Sequence, residues 1–136
     1  MEPKQFVMEL RTGVGRLARI TEAFAHEGIN VMGISARDLP EATLVRMLVD
    51  DAVKAERILR EIKQDFAQEA ALVIPIRNKP GALHSLTQLF SANGLKIYYL
   101  YVVIMNMTNI SMLFCLDDNK AGARVMMKNG FEFMLL

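Results

Sequence analysis

The chain has 136 residues, a length that usually forms one domain or two very small ones. Hydrophobic residues make up 52% and charged residues 23%, which excludes a disordered chain, and no apolar run reaches the ~18 residues that a membrane helix needs. The formal net charge is +1, and the 16 Lys and Arg are scattered among 15 Asp and Glu, so no basic stripe is available for a nucleic-acid backbone. We therefore predict a soluble globular protein that binds neither nucleic acid nor membrane.

Residues that could hold a metal or a nucleotide are missing from the sequence. Cys115 is the one cysteine, so no internal disulfide can form, and two histidines provide no zinc-ligand spacing. The chain contains no P-loop and no dinucleotide fingerprint. Its start, Met1-Glu2-Pro3-Lys4, lacks the apolar core of a secretory signal. These observations predict a cytoplasmic protein without a cofactor or bound metal.

The chain contains an internal repeat. Residues 11–31 align with residues 77–97 at a constant offset of 66 positions. Six pairs in this window are identical, and three other pairs keep an aliphatic side chain in both copies. Such self-similarity is the signature of a duplicated structural unit. The identical pairs are Arg11 with Arg77, Gly15 with Gly81, Leu17 with Leu83, Thr21 with Thr87, Phe24 with Phe90, and Gly28 with Gly94.

The first copy is predicted to run strand, helix, strand, strand, helix, strand. The spacing of Leu17, Ile20 and Phe24 gathers them on one face of a helix that covers a sheet. Gly28 suits the left-handed C-terminal cap of that helix, and acidic residues at 50 and 51 favour the start of a second one. The predicted segments are a strand at 5–11, a turn at 12–15, a helix to 28, strands at 30–37 and 43–49, a helix to about 63, and a strand at 66–70.

The second copy follows the same order. Leu83, Leu86 and Phe90 repeat the helical face, and Gly94 repeats the cap. The order βαββαβ, twice, is the split βαβ plan, so we predict an α+β fold of two tandem ferredoxin-like units, residues 1–70 and 71–136, each an antiparallel sheet with helices on one face. The predicted segments are a strand at 72–77, a turn at 78–81, a helix to 94, strands at 96–104 and 110–116, a helix from 117 and 118 to about 130, and a strand at 131–135.

The turn before each first helix is a candidate binding site. Glycine at 15 and 81 lets the backbone approach a ligand closely, and the free N–H groups of the helix point at whatever lies there. A carboxylate could be held by the amides near Gly81, Ala82 and Leu83, with the helix dipole adding about 0.3–1 kcal/mol. The alternative interpretation is that glycine and proline serve only to make the turn.

The second copy resembles a known family. Its motif Asn78-Lys79-Pro80-Gly81-Ala82-Leu83, followed by Phe90 and then by Gly94 before a strand, resembles the first half of an ACT domain, the small-molecule regulatory module of amino-acid metabolism. The stretch "TGVGRLARITEAFAHEGIN" is similar, although Val14 replaces the usual proline. The resemblance covers essentially the whole chain as two copies with no catalytic domain attached. It implies a non-catalytic regulatory protein that binds an amino acid.

The same resemblance implies where the ligand lies, namely between the first turn of one copy and the start of the second strand in its neighbour. Asn78 would then pair with Asn30, and two amides suit both the ammonium and the carboxylate of a zwitterion. The other pairing, Thr12 with Lys96, would repel an ammonium. We therefore predict one amino-acid site and one altered site. The candidate ligand-binding residues are Asn78, Lys79, Pro80, Gly81, Ala82, Leu83, Asn30 and Val31, with Thr12, Gly13, Gly15 and Lys96 in the altered site.

Other functions remain open at this point. The implied partners are the amino acid, a second copy in a homodimer, and an enzyme of an amino-acid pathway. A structural subunit of such an enzyme with vestigial pockets is the main alternative. RNA-recognition domains share the fold plan, but the near-neutral charge disfavours them. An enzyme is disfavoured because the sequence shows no nucleophile beside a base and no pair of carboxylates at a turn.

Overall fold

A computed structural model describes residues 2–11, 14–105 and 110–136, and the chain divides into two compact units, Met1–Glu69 and Ala70–Leu136. The order of elements is βαββαβ in each unit, as predicted. In unit 1 the elements are β1 (Lys4–Leu10), α1 (Val14–His26), β2 (Val31–Asp38), β3 (Thr43–Val49), α2 (Ala52–Glu61) and β4 (Ala67–Glu69). In unit 2 they are β5 (Leu72–Ile76), α3 (Ala82–Ala92), β6 (Ile97–Ile104), β7 (Ile110–Leu116), α4 (Asn119–Lys128) and β8 (Met134–Leu135).

Each unit contains one four-stranded sheet. The strand orders are β2-β3-β1-β4 and β6-β7-β5-β8, and every neighbouring pair is antiparallel. The edge strands β2 and β6 shift register at corresponding places, between Val31 and Gly33 and between Ile97 and Tyr99. Such irregularities at a sheet edge redirect the strand and interrupt its pairing. The predicted pair of ferredoxin-like units is confirmed.

Each unit has its own apolar core between the sheet and its two helices. Phe24 of α1 and Phe90 of α3, identical positions of the repeat, are both fully buried. In unit 2 the ring of Phe90 meets that of Phe114 edge to face, with centroids 5.1 Å apart and an interplanar angle of 68°. In unit 1 the rings of Phe6 and Phe66 lie 5.4 Å apart. The predicted helical faces are therefore the core-forming faces at these positions.

Leu83 is an exception, and its predicted place on the core face of α3 is wrong. Leu83 is 40% exposed, whereas Leu86 and Phe90 are buried and Leu89 packs against the core cluster. Helical periodicity places a residue on one side of a helix, but it does not say whether a neighbouring element reaches the first turn. Leu17, the corresponding residue of unit 1, does pack against its core.

The two units also differ where their first helices begin. We predicted a turn over residues 12–15, but α1 begins at Val14, so Gly15 is a helical residue and not a turn residue; Thr12 and Gly13 lie outside the described residues. In unit 2, Gly81 has φ = 91° and caps α3, which begins at Ala82. A left-handed residue cannot continue a right-handed helix, and this places the start of α3 after Gly81.

The closing strand of unit 2 is shorter than predicted. Only Met134 and Leu135 form β8, and they pair with Val73 and Leu72. Phe131 and Phe133, which we predicted to be strand residues, pack half-buried against the core cluster without pairing. The alternation of apolar residues had suggested a strand, yet it indicates only which side chains face the core.

The predicted glycine caps are confirmed, but of the two acidic residues predicted at the start of each second helix only the later one acts as a cap. Gly28 and Gly94 follow α1 and α3 with φ of 69° and 70°. Asp51 and Asp118 precede α2 and α4, and their carboxylates accept hydrogen bonds from the amide of the third residue of each helix. The distances are 3.2 Å from the Lys54 N–H to Asp51 Oδ1 and 2.9 Å from the Ala121 N–H to Asp118 Oδ1.

We expect Asp118→Ala to lower the free energy of unfolding of unit 2 by about 1 kcal/mol, because the cap of α4 loses its acceptor. Urea denaturation followed by circular dichroism measures the change. Lys120→Ala, an exposed substitution in the first turn of the same helix, is the control and should alter the value by less than about 0.5 kcal/mol. Equal effects of the two substitutions would contradict the role of the cap.

Candidate functional site

The turn between β5 and α3 exposes the start of a helix. Gly81 is the N-cap residue and, because it has no side chain, it gives the helix no side-chain hydrogen bond. The first bond of α-helical spacing is the one that the Ser85 N–H donates to the Gly81 carbonyl, at 3.0 Å. The amides of Leu83 and His84 precede it, so they have no partner within the helix. Such unpaired amides give the start of a helix a positive potential, which attracts an anion.

The side chains of this turn are accessible. Asn78, Lys79, Pro80 and Gly81 are all exposed, and Ala82 is half-buried. The turn is shaped by its own backbone, since the Lys79 N–H donates to the Arg77 carbonyl at 2.9 Å and the Ala82 N–H donates to the Lys79 carbonyl at 3.3 Å. These bonds leave the amide group of Asn78 available to a ligand.

The start of the second strand is held by an aspartate in both units. The Asn30 N–H donates to Asp50 Oδ1 at 3.0 Å, and the Asp50 N–H donates back to the Asn30 carbonyl at 3.1 Å. In unit 2, Lys96 and Asp117 form the same reciprocal pair, at 3.0 Å in both directions. We call this arrangement the aspartate clamp. It fixes the backbone of residues 30 and 96 whatever side chain they carry.

The two clamped residues present different chemistry. Asn30 is exposed, and its neighbour Val31 packs half-buried against the core of unit 1. Lys96 is also exposed, and its Nζ lies 5.8 Å from the centroid of the Tyr98 ring, within reach of a cation–π interaction. The positive charge predicted to alter the second site is therefore present at the start of β6.

The predicted site residues fall into separate groups. Residues 78–83 are contiguous at the start of α3, and Lys96 lies in the same unit. Asn30 and Val31 belong to unit 1, so the pairing of Asn78 with Asn30 stays a prediction. Gly15 lies inside α1, and Thr12 and Gly13 are outside the described residues.

Sequence reasoning missed a groove in unit 2. It has a volume of about 600 Å³ and lies between the start of α3 and the segment 130–132 that follows α4. At the corresponding segments of unit 1, the side chain of Arg16 bonds to Gln64 and to the Ile62 carbonyl. The signal was readable in the repeat, because the offset of 66 places Ala82 opposite Arg16.

The part of the chain that the structure describes shows neither a metal-binding cluster nor a helix able to span a membrane. No group of three or more His, Cys, Asp or Glu side chains there could hold a metal ion. None of the described helices has the length and apolar character to cross a membrane. Cys115 is half-buried.

Two consecutive βαββαβ units, each with one antiparallel sheet, define a tandem ferredoxin-like protein. A family model described as an ACT domain pair matches residues 1–135, and the chain belongs to this family. The resemblance noted in the sequence is thereby confirmed over both units. The match indicates no catalytic family.

Solved structures share the fold. A protein from Bacteroides thetaiotaomicron superposes with a TM-score of 0.87 at 24% identity, covering 97% of this chain and 91% of that one. The ligand-free regulatory subunit of aspartate kinase from Thermus thermophilus gives a TM-score of 0.63 at 16% identity, over 93% and 91% of the two chains. The corresponding subunit from Thermus flavus gives 0.57 at 19% identity, over 94% and 92%. No curated protein sequence matches the chain.

Proposed function

We propose that this chain is a non-catalytic regulatory protein that binds a free amino acid. The observation that supports it most directly is the start of α3, where the N-cap residue Gly81 provides no side-chain hydrogen bond to the helix and Asn78 is exposed nearby. Membership of the ACT domain pair family agrees with this function. Two of the similar structures are regulatory subunits of aspartate kinase, which favours a regulatory role without identifying an enzyme partner.

The ligand's carboxylate would accept hydrogen bonds from the free amides of Leu83 and His84. Helix N-termini stabilise such a charge by about 0.3–1 kcal/mol through the dipole. Lys79, Pro80, Gly81 and Ala82 would shape this end of the pocket. Because a carboxylate bound only by amides needs no side-chain cation, the site can accept a ligand whose other end is positively charged.

The ligand's ammonium would be held by the side-chain carbonyls of two asparagines, Asn78 and Asn30. An amide oxygen accepts from an ammonium, and the amide NH₂ donates to a carboxylate or hydroxyl. Asn30 suits this role because the aspartate clamp holds its backbone while its side chain is exposed. In this proposal the ligand lies between the two units, with Val31 beside it.

The second pairing, Thr12 with Lys96, would not bind a free amino acid. The ammonium of Lys96 would face the ammonium of the ligand, and like charges repel most where water is excluded. Gly13 and Gly15 belong to this altered site in the proposal. One competent site and one altered site per chain follow from this difference.

Ligand binding would act on a partner by a population shift. A ligand that contacts two units stabilises one arrangement of them, and a partner with higher affinity for that arrangement senses the ligand. We propose that the partner is an enzyme of an amino-acid pathway, that the chain forms a homodimer, and that it works in the cytoplasm.

Isothermal titration calorimetry with each proteinogenic amino acid tests this function. We expect one of them to bind, and Asn78→Ala to weaken that binding about tenfold or more, since a hydrogen bond to a charged group contributes about 1.5–3 kcal/mol. Gln88→Ala, which removes an exposed amide from the middle of α3, is the matched control and should leave the affinity unchanged. Absence of binding by every amino acid, or unaltered affinity in Asn78→Ala, would overturn the proposal.

A further inference from the structure

In unit 1 an arginine joins the first turns of α1 to the segment after α2. Arg16 donates from Nε to Gln64 Oε1 at 2.8 Å and from Nη2 to the Ile62 carbonyl at 2.7 Å. Gln64 is only 9% exposed, and its own NH₂ donates to the Asp65 carbonyl at 2.9 Å. The side chain of Arg16 thus bridges the helix and this segment, and we call the pair of Arg16 and Gln64 the arginine strap.

Unit 2 has replaced both side chains of the arginine strap. The repeat places Ala82 where unit 1 has Arg16. The second helices, α2 and α4, start at Ala52 and Asn119, so their offset is one position larger than the offset of the repeat. With this larger offset, Phe131 takes the place of Gln64. A long cation and a buried amide have become a methyl group and a phenyl ring. Neither Ala82 nor Phe131 has a polar side-chain atom, so no side-chain hydrogen bond between these two positions can join the start of α3 to the segment after α4.

Between the start of α3 and the segment after α4 lies the groove of about 600 Å³ described above. Its inner side is apolar, because Leu86 is buried in the core of unit 2 and Ile76 and Phe131 pack against that core. Its outer side carries the exposed groups of Arg77, Lys79 and Glu132.

The outer side of the groove has a net positive charge. Within the described ranges 2–11, 14–105 and 110–136, neither Arg77 nor Lys79 has a carboxylate within 4.0 Å, the limit for an ion pair. Two cations stand against the single carboxylate of Glu132, so the groove attracts an anion. A guanidinium can bind a carboxylate through two parallel hydrogen bonds, which makes Arg77 the stronger of the two contacts.

We propose that this groove binds a small organic carboxylate with a short apolar body. The carboxylate would pair with Arg77 and Lys79, and the apolar body would lie on Ile76, Leu86 and Phe131. This site is distinct from the proposed amino-acid site: it lies wholly within unit 2 and uses neither asparagine. Lys79 and Ala82 are the residues common to both, so Arg77 and Phe131 are the positions that test the groove alone.

The probe is 4-methylpentanoate, and its uncharged counterpart 4-methylpentanamide is the matched ligand. Heteronuclear NMR of the full chain labelled with ¹⁵N reports binding residue by residue. We expect 4-methylpentanoate at about 10 mM, above the millimolar Kd that a few contacts give, to shift the amides of residues 130–132. The neutral amide should bind about tenfold more weakly, because it forms no ion pair with Arg77.

Variants distinguish binding in the groove from a nonspecific effect of the protein's charge. Arg77→Gln should weaken 4-methylpentanoate about fivefold or more by loss of the paired charge. Arg11→Gln is the matched control, since Arg11 is the repeat counterpart of Arg77 in the unit that carries the arginine strap, and it should change nothing. Phe131→Gln, which restores the residue type of unit 1, should also weaken binding.

Leucine distinguishes two classes of carboxylate ligand, an amino acid and an acid without an ammonium group, because it adds an ammonium to the same apolar body. If the shifts of residues 130–132 saturate at a lower concentration of leucine than of 4-methylpentanoate, the groove binds a zwitterion whose ammonium pairs with Glu132. Glu132→Gln would then remove the higher affinity for leucine. Later saturation would assign an ammonium-free acid. Asn78→Ala should leave the groove titration unchanged, so failure of the amino-acid site and failure of the groove are separate results.

Three results would overturn the proposal. They are unmoved amides at residues 130–132, equal affinity for the charged and uncharged probes, and an Arg11→Gln effect as large as that of Arg77→Gln. Each is read from spectra of the folded chain, in which dispersed peaks show that the variant has kept its structure.

Discussion

Phe90→Ala is expected to lower the free energy of unfolding of unit 2 by about 3–5 kcal/mol. The side chain of Phe90 is fully buried, and its ring meets that of Phe114 edge to face at 5.1 Å, a geometry that adds to the burial of area. Truncation leaves a cavity that the surrounding core fills only in part. Because small domains have a total stability of about 5–15 kcal/mol, this loss is a large fraction of the whole.

Urea denaturation gives the size of this effect, and hydrogen exchange places it in one unit. Amides of β7 should exchange faster in Phe90→Ala, whereas those of β3 in unit 1 report any effect beyond unit 2. Ser91→Ala, an exposed neighbour in α3, should change the stability by less than about 0.5 kcal/mol. A loss below about 1 kcal/mol for Phe90→Ala would contradict the role given to this ring.

Gly81→Ala is expected to destabilise the chain by about 1–2 kcal/mol, because an L-residue resists the left-handed conformation that φ = 91° demands. Steric contact is not the cause, since a Cβ built at Gly81 meets nothing within 4 Å. Urea denaturation measures the change. The expectation depends only on the backbone and holds whether or not a ligand binds at this turn.

Gly15 is the matched control for Gly81, since it holds the same place in the repeat. A Cβ added at Gly15 also meets nothing within 4 Å, but this glycine is a helical residue of α1. Gly15→Ala should therefore stabilise the chain by about 0.5–1 kcal/mol through helix propensity. Effects of the same sign in the two variants would show that the units do not differ here as described.

Much of the fold could be predicted because the same pattern occurs twice. An ambiguous helical face in one copy is supported by its counterpart in the other, as Phe24 and Phe90 show, and both are fully buried. Glycines after the first helices and aspartates before the second ones act within a few residues of the chain. Such local signals are read directly from the sequence.

Features that depend on distant segments were not predictable in this way. The partners of Arg16 in the arginine strap lie 46 and 48 positions further along the chain. No local pattern predicts that the segment after α2 approaches the start of α1. The exposure of Leu83 likewise depends on what reaches the first turn of α3. The early start of α1 at Val14 departs from the turn that the glycines at 13 and 15 suggested.

The candidate site was predictable in part. The exposed turn at residues 78–81 and its glycine cap follow from the local motif, and the structure shows both. The aspartate clamp was not foreseen, because the sequence suggested only that Asp50 and Asp117 open helices. Each instead bonds to the start of a strand 20 or 21 positions earlier, while Asp51 and Asp118 provide the caps.

The aspartate clamp separates the shape of this surface from its chemistry. Since both backbone bonds come from the partner aspartate, residues 30 and 96 can be exchanged without moving the strands that carry them. Under the proposed function, a single substitution at one of these positions would change the contacts offered to a ligand in one copy of the duplicated unit and leave the other copy unaltered. For protein engineers, the same property makes these two positions the first to vary when side-chain chemistry is to change without a change of backbone.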